Sequence, residues 1–277
     1  MKSVTIGTSE TVPALGQGTW YMGDDARNKD DEIAALRRGV ELGMTLIDTA
    51  ELYGSGRSET LVGEAFSGMR DDVFLVSKVL PYNASEKGTI ASCEMSLKRL
   101  GTDRLDLFLL HWPGTHPLEE TVEAFEKLQK DGKIRYWGVS NFNSMEMAAL
   151  SSVSGGDKVA TNQVLYNLTR RGIEWDQLPS AERKGLPTMA YSPIEQARLL
   201  ADSKLQTLAS DLGLTTAQLA LAWVLRREHM IAIPKAGKVA HVEENAKAAE
   251  IELTQDTLDT LDQMFPPPTG PSGLDIL

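Results

Sequence analysis

At 277 residues the chain can bury a sizeable core, and α/β barrels commonly run to about 250 residues. Apolar residues at 42% and charged residues at 24% exclude a disordered or fibrous chain, and the formal net charge of -11 disfavours nucleic acid or an anionic membrane as partner. Cys93, the one cysteine, rules out an internal disulfide, and the opening MKSVTIGTSE lacks an apolar core of the secretory type. A cytoplasmic setting is therefore expected. The apolar runs are of strand length, so no membrane span is expected either.

In chain order, SVTIGTSETVPA places a turn cluster between two brief apolar runs and predicts a β-hairpin. Eight strand-plus-helix units follow. LGQGTW precedes a helix over 30–42, TLIDTA one over 58–66, VFLVSKV one over 86–100, and LDLFLLHW one over 118–130. IRYWGVSN is followed by a helix over 144–150, KVATNQV by a weaker one over 179–184, PTMAYSP by two over 203–211 and 216–227, and MIAIPKA by one over 239–248. Strands alternating with helices imply right-handed crossovers and a parallel sheet, and runs such as LFLL suit strands covered on both faces. Eight units in this length predict a (βα)8 TIM barrel with an N-terminal hairpin. A doubly wound dinucleotide-binding sheet would need Gly-x-Gly-x-x-Gly after its first strand, and GQGTWYMG lacks that spacing. With no linker of proline or glycine and serine in its middle, the chain is expected to form a single domain over 1–277. FPPPTGPSGLDIL is expected to be a short irregular tail across the active-site face, with Leu274 and Ile276 packed against it.

In such barrels the site forms at the C-terminal ends of the strands. Asp48 ends the second strand, Lys78 lies on the third, His111 ends the fourth, and Tyr53 hangs in the loop after the second. Asp48 and Lys78, on neighbouring strands, are expected to pair and stay charged; a lysine beside Tyr53 is expected to lower its pKa from about 10 and make the phenol a proton donor. Ser140, Asn141 and Gln163 offer donors and acceptors suited to a carboxamide, Tyr191 a flat stacking surface, and Lys235 with Lys238 an anion site near a helix N-terminus.

The segments LIDTAELYG, VSKV and LLHWP resemble the active-site segments of the aldo-keto reductases, with Asp48, Tyr53, Lys78 and His111 on that family's catalytic tetrad. GKIRYWGVSNF, ATNQVLYN, MAYSP and AIPKAGKVAHVEEN extend the resemblance over nearly the whole chain, and GQGTWYMG with the short tail resembles bacterial members that reduce methylglyoxal and other small dicarbonyls. The resemblance implies reduction of small carbonyl compounds to alcohols with NADPH, NADH serving less efficiently; a monomer is expected, since nothing in the sequence marks an obligate interface. It implies cofactor contacts from Gly18, Thr19, Trp20, Asp48, Ser140, Asn141, Gln163, Tyr191, Ser192, Pro193, Ile194, Gln196, Lys235, Lys238, His241, Glu244 and Asn245. By the same resemblance Tyr53 is expected to donate the proton, His111 to orient the carbonyl, and Trp20 and Trp112 to wall the substrate pocket that Tyr53 and His111 also line. Many members have a serine where Ala236 stands and an arginine at His241, so selectivity for the 2′-phosphate is expected to be narrower here.

Each residue also has a structural reading: Asp48 as a cap, Lys78 as a surface lysine, His111 as a core histidine. Their convergence in one order outweighs those readings. Trp137, Trp175 and Trp223 read as packing, the ten methionines as core filler, and Cys93 as inert. His111 and His116 have no metal-ligand spacing, so no metal is expected. Two rivals stand beside the reductase: a Schiff-base aldolase using Lys78, and a cofactor-binding protein with a structural or regulatory task.

Overall fold

The computed structural model describes residues 1–277. Two antiparallel strands, β1 (Ser3–Ile6) and β2 (Glu10–Pro13), form the expected hairpin. Eight parallel strands then run β3 (Gln17–Gly18), β4 (Leu46–Asp48), β5 (Phe74–Val79), β6 (Leu105–Leu110), β7 (Ile134–Ser140), β8 (Asn162–Leu165), β9 (Thr188–Tyr191) and β10 (Met230–Ile233), each paired with its sequence neighbour. Bridges Leu15 to Ala232 and Gly18 to Lys235 close the ring between the first and last of the eight. This is the predicted barrel.

The helices are α1 (Lys29–Glu41), α2 (Arg57–Ala65), α3 (Glu86–Leu100), α4 (Leu118–Lys130), α5 (Ser144–Ser152), α6 (Gln177–Lys184), α7 (Ser203–Asp211), α8 (Thr216–Leu225), α9 (Val239–Ala248) and α10 (Gln255–Met264). Local chemistry sets their ends. Ser85 caps α3 by accepting from Gly88 N, and Gly101 ends it in the left-handed conformation. Reciprocal capping boxes start α5 (Asn143 with Glu146) and α8 (Thr215 with Gln218). Helix α10 was not among the predicted elements, although Thr254 caps it and Leu258 and Leu261 mark its inner face. Several predicted boundaries move: α1 and α2 each lie one residue earlier, α5 runs on to Ser152, α6 begins at Gln177, α8 stops at Leu225 rather than Arg227, and β8 begins at Asn162, with Lys158 in a 3-10 turn ahead of it.

Period-2 alternation divides the core. Leu46, Phe74, Val76, Leu107 and Leu109 belong to one cluster with the hairpin residues Val4, Ile6 and Val12, while Ile47, Leu75, Val79, Phe108, Leu110 and Trp137 pack into another with the helices. In the second, Phe125 stacks on Trp137 with centroids 5.3 Å apart and meets Phe108 edge-on. The hairpin turn lies over Tyr136 near the start of β7: a Cβ on Gly7 would fall within 2.5 Å of the Tyr136 ring. It therefore covers the end of the barrel opposite the strand C-termini.

Two packing expectations are corrected. Trp175 is 47% exposed, because it sits in the loop leading into α6 with no core face to cover. Ile276 is 61% exposed; Leu274 packs on the core, Asp275 pairs with Arg170 at 3.3 Å and the Leu277 backbone reaches the Tyr191 hydroxyl, so the tail is held on either side of Ile276 while that side chain points to solvent. No single helix is long and apolar enough to cross a membrane.

Gly18 is where ring closure leaves no room for a side chain: an added Cβ would lie 2.8 Å from the Ile233 carbonyl oxygen. Gly18→Ala is expected to cost about 1–3 kcal/mol through this overpacking against backbone, read as a lower Tm in a thermal melt.

Candidate active site

The strand ends gather the four predicted residues at one mouth. Lys78, 0% exposed, spends all three ammonium protons: on Asp48 Oδ2 at 2.8 Å, the Thr49 carbonyl at 2.8 Å and Tyr53 Oη at 3.1 Å. Its Nζ lies 4.7 Å from the centre of the Tyr53 ring. Asp48 accepts a second hydrogen bond on Oδ1 from Gln163 Nε2 at 2.8 Å. The Tyr53 ring meets His111 edge-on with centroids 5.8 Å apart, and Trp112 lies 4.9 Å beyond His111. Trp20 faces Tyr53 at 6.3 Å from the other side.

Strand parity and loop chemistry produce this convergence. Phe74, Val76 and Lys78 share one face of β5, so Lys78 continues an apolar row into the mouth. Loop β3–α1 is tied to the end of β4 and the start of α2 by three buried hydroxyls: Thr19 Oγ1 donates to the Asp48 carbonyl at 2.9 Å, Ser58 Oγ donates to Thr19 Oγ1 at 2.7 Å, and Thr49 Oγ1 lies 3.1 Å from Ser58 Oγ. Glu51 accepts from Leu80 N, Asn83 Nδ2 and Ser92 Oγ, holding the loop after β5 against that after β4.

Burial sets the electrostatics. It pulls Lys78 below the usual lysine range, opposed by the Asp48 carboxylate and its hydrogen bond. It pushes the Tyr53 phenol well above its ordinary value, and the Asp48 charge adds to that. This corrects the expectation of a phenol made more acidic by its lysine: desolvation outweighs the neighbour, so Tyr53 is held protonated, as a donor must be. Burial, then the Lys78 charge, drives His111 well below its ordinary value, so the imidazole is neutral at pH 7. Its Nδ1 is buried without a partner, so a proton on Nε2 is the one it can offer.

A cavity of about 420 Å³ opens beside the cluster, lined by Gly18, Thr19, Trp20, Asp48 and Tyr53 at one side and by Tyr191, Ser192, Pro193, Ile194, Gln196 and Lys235 at the other. All of these were singled out in the sequence. Tyr21, stacked on Trp20 at 4.8 Å, Ala197, Ile233 and Pro234 also line it and were missed. The signal for Tyr21 was its place in the same glycine-flanked loop as Trp20; Ala197 offered none.

His111, Trp112, Ser140, Asn141 and Gln163 are not part of that lining, nor are Lys238, His241, Glu244 and Asn245. Four of them, His111, Ser140, Asn141 and Gln163, are occupied with one another. Ser140 Oγ donates to the Gln163 carbonyl at 2.8 Å, Asn141 Nδ2 donates to the His111 carbonyl at 3.1 Å, and Tyr191 Oη donates to Asn141 Oδ1 at 2.9 Å. Beyond Lys235, exposed Lys238 and His241 stand at the start of α9, whose first turn carries no acid. Glu243, one turn on, is drawn off by Arg38 at 2.8 Å. Glu244 is half-buried and Asn245 buried.

Backbone strain concentrates here. Of eight non-glycine residues with positive φ, seven (Tyr21, Ser55, Asn141, Ser192, Glu195, Gln196 and Ala197) lie in loops following the strand C-termini. Each costs on the order of 1 kcal/mol and persists only where surrounding contacts enforce it.

A barrel with a buried Asp-Lys pair joined to a tyrosine and a neutral histidine at its mouth defines a class of carbonyl-reducing enzymes, and comparison with known proteins agrees. Residues 14–265 match the model of the aldo/keto reductase family, to which this chain belongs. The methylglyoxal reductase YeaE of Escherichia coli (strain K12) is 50% identical, the match covering 100% of this chain and 99% of that protein. The glyoxal reductase of Bacillus subtilis (strain 168) is 32% identical over 95% of this chain and 92% of its own length. A crystal structure of an aldo-keto reductase from Klebsiella pneumoniae in complex with NADPH superposes with a TM-score of 0.98 at 49% identity, covering 100% of this chain and 99% of that one.

The neutral His111 has a consequence for stability. Below about pH 6.5 the unfolded chain takes up a proton at this histidine while the folded chain does not, so stability is lost as pH falls. Urea midpoints of the wild type should therefore fall more steeply than those of His111→Gln between about pH 7 and about pH 5.

Proposed function

We propose that this chain reduces small aldehydes, ketones or dicarbonyls such as methylglyoxal to alcohols with NADPH, Tyr53 serving as proton donor. The observation that carries the reading is the contact of Tyr53 Oη with Lys78 Nζ at 3.1 Å, itself held by Asp48 at 2.8 Å, on the wall of a cavity that ends at Lys235. It is supported by the relatives that reduce methylglyoxal and glyoxal and by the neighbour crystallised with NADPH.

The residues suit the cofactor. Tyr191 gives a flat surface at the cavity wall, and Gly18 lets the backbone approach closely. Lys235 and Lys238 place positive charge near a helix N-terminus, with His241 beside them, in a protein of net charge -11. They would take the 2′-phosphate, with Glu244 and Asn245 one turn further along α9. Ser140, Asn141 and Gln163 would take the carboxamide by exchanging some of their present partners. Bound there, the nicotinamide supplies the hydride.

The chain's own residues do the rest. As the carbonyl carbon is reduced its oxygen gains negative charge, and Tyr53 Oη delivers its proton to that oxygen. The phenolate left behind is met by the Lys78 ammonium, which Asp48 keeps in place. His111, neutral, donates a hydrogen bond that orients the carbonyl, and Trp20 and Trp112 exclude water around it. Lys78 with all three protons engaged is a poor candidate for imine formation, which favours this reading over an aldolase. The same reading takes 1–277 as one domain acting as a cytoplasmic monomer on small carbonyl compounds, with no nucleic-acid or membrane partner.

The test is NADPH oxidation with methylglyoxal. Tyr53→Phe is expected to lower kcat by about 10²–10⁴ while binding NADPH as the wild type does; undiminished turnover would remove Tyr53 as the acid. A charge-assisted phosphate contact is worth about 1.5–3 kcal/mol, so kcat/KM should favour NADPH over NADH by at least about tenfold, and Lys235→Ala should narrow that ratio. Equal kcat/KM for the two cofactors would refute the selectivity.

A further inference from the structure

Segment 192–197, after β9, forms one wall of the cavity. Ser192, Pro193, Ile194, Gln196 and Ala197 all line it; Glu195 alone does not. Four of these six residues have left-handed backbone without being glycine: Ser192 (φ 47), Glu195 (φ 51), Gln196 (φ 53) and Ala197 (φ 68). Such a run does not hold itself, because L-residues visit this region singly and at a cost.

What holds it lies on the side away from the cavity. The Glu195 carboxylate is 5% exposed and fully engaged. Oε2 accepts from Asn167 Nδ2 at 2.7 Å; Oε1 accepts from Arg170 Nη2 at 3.1 Å and from Arg198 Nη2 at 2.9 Å. Asn167, in the loop after β8 and 0% exposed, works in two directions: its Nδ2 also donates to the Ser192 carbonyl at 2.9 Å, while its Oδ1 accepts from Thr169 N and Arg170 N and fixes its own turn. The start of the strained run, at Ser192, and its middle, at Glu195, are thereby tied to one turn, and Arg170 carries the tie on to Asp275 of the tail.

We propose that Glu195 is a positioning residue for the nucleotide: its carboxylate latches segment 192–197 to the β8 loop, keeps the cavity wall in its strained path, and so sets how slowly bound nucleotide leaves. The latch differs from a contact to the cofactor, since Glu195 faces away from the cavity. Cutting it lets the run relax toward ordinary backbone, which the cavity wall cannot follow without moving. This inference rests on the reading of the cavity as an NADPH site.

The experiment measures NADPH binding and release by stopped-flow quenching of tryptophan fluorescence, with Trp20 at the cavity as reporter, alongside KM for methylglyoxal at saturating NADPH. Glu195→Ala is expected to release NADPH about ten- to a hundredfold faster, as loss of hydrogen bonds to a charged group implies, with KM for methylglyoxal nearly unchanged. Glu195→Gln keeps the shape and one acceptor for Asn167 and should fall between Glu195→Ala and the wild type; it also serves if the alanine variant does not fold. Arg198→Ala, which removes the most exposed partner, should give the smallest change. Release rates for folded Glu195→Ala or Glu195→Gln within about twofold of the wild type would overturn the latch. Failure of the wild type itself to bind NADPH would overturn the cofactor reading and the latch with it, a result distinct from normal binding with unaltered release.

Discussion

Everything at the mouth of this barrel is arranged around one buried ammonium group. Lys78 has no exposed surface, and a charge in such a place is tolerated only when paired and fully hydrogen-bonded. Asp48 supplies the counter-charge, the Thr49 carbonyl and Tyr53 Oη take the remaining protons, and the position of Tyr53 follows from that requirement. Asp48 in turn binds Gln163, so three strands, β4, β5 and β8, and the loop after β4 are joined through one lysine and its counter-charge.

The same burial separates the roles of the titratable groups. Desolvation keeps the phenol protonated and the imidazole neutral while Lys78 and Asp48 balance each other. A tyrosine that holds its proton until charge develops on a carbonyl oxygen, beside a cation that can meet the phenolate, is an acid suited to neutral pH. In the proposed reaction the Lys78 ammonium, 3.1 Å from Tyr53 Oη, acts once the proton has left, by meeting the phenolate.

A second constraint is the strained rim. Left-handed residues after β3, β4, β7 and β9 shape the loops bordering the cavity, and each set is paid for by local bonds behind it. The hydroxyl chain of Thr19, Thr49 and Ser58 supports the Trp20 loop, and the Glu195 cluster supports the wall after β9. A rigid barrel thus lends precision to irregular loops, which alone would have no reason to keep these paths.

The sequence by itself determined the barrel and set four polar residues at its mouth, because these are local signals: period-2 and period-3.6 patterning, capping residues, and polar side chains at the ends of apolar strands; most of the cavity lining was legible only through the resemblance of whole segments to a known family. Helices α3, α4, α7 and α9 have the predicted ends for that reason, and α10 was equally legible from Thr254 and its leucines. Only the tertiary structure decided how these groups spend their bonds. That Gln163 turns to Asp48, that Ser140 and Asn141 engage their neighbours, that Tyr53 gains rather than loses proton affinity, and that Glu195 reaches Asn167 and Arg170 all depend on distance and desolvation between residues far apart in the chain. Spacing along a sequence carries neither quantity; close packing of the folded barrel supplies both.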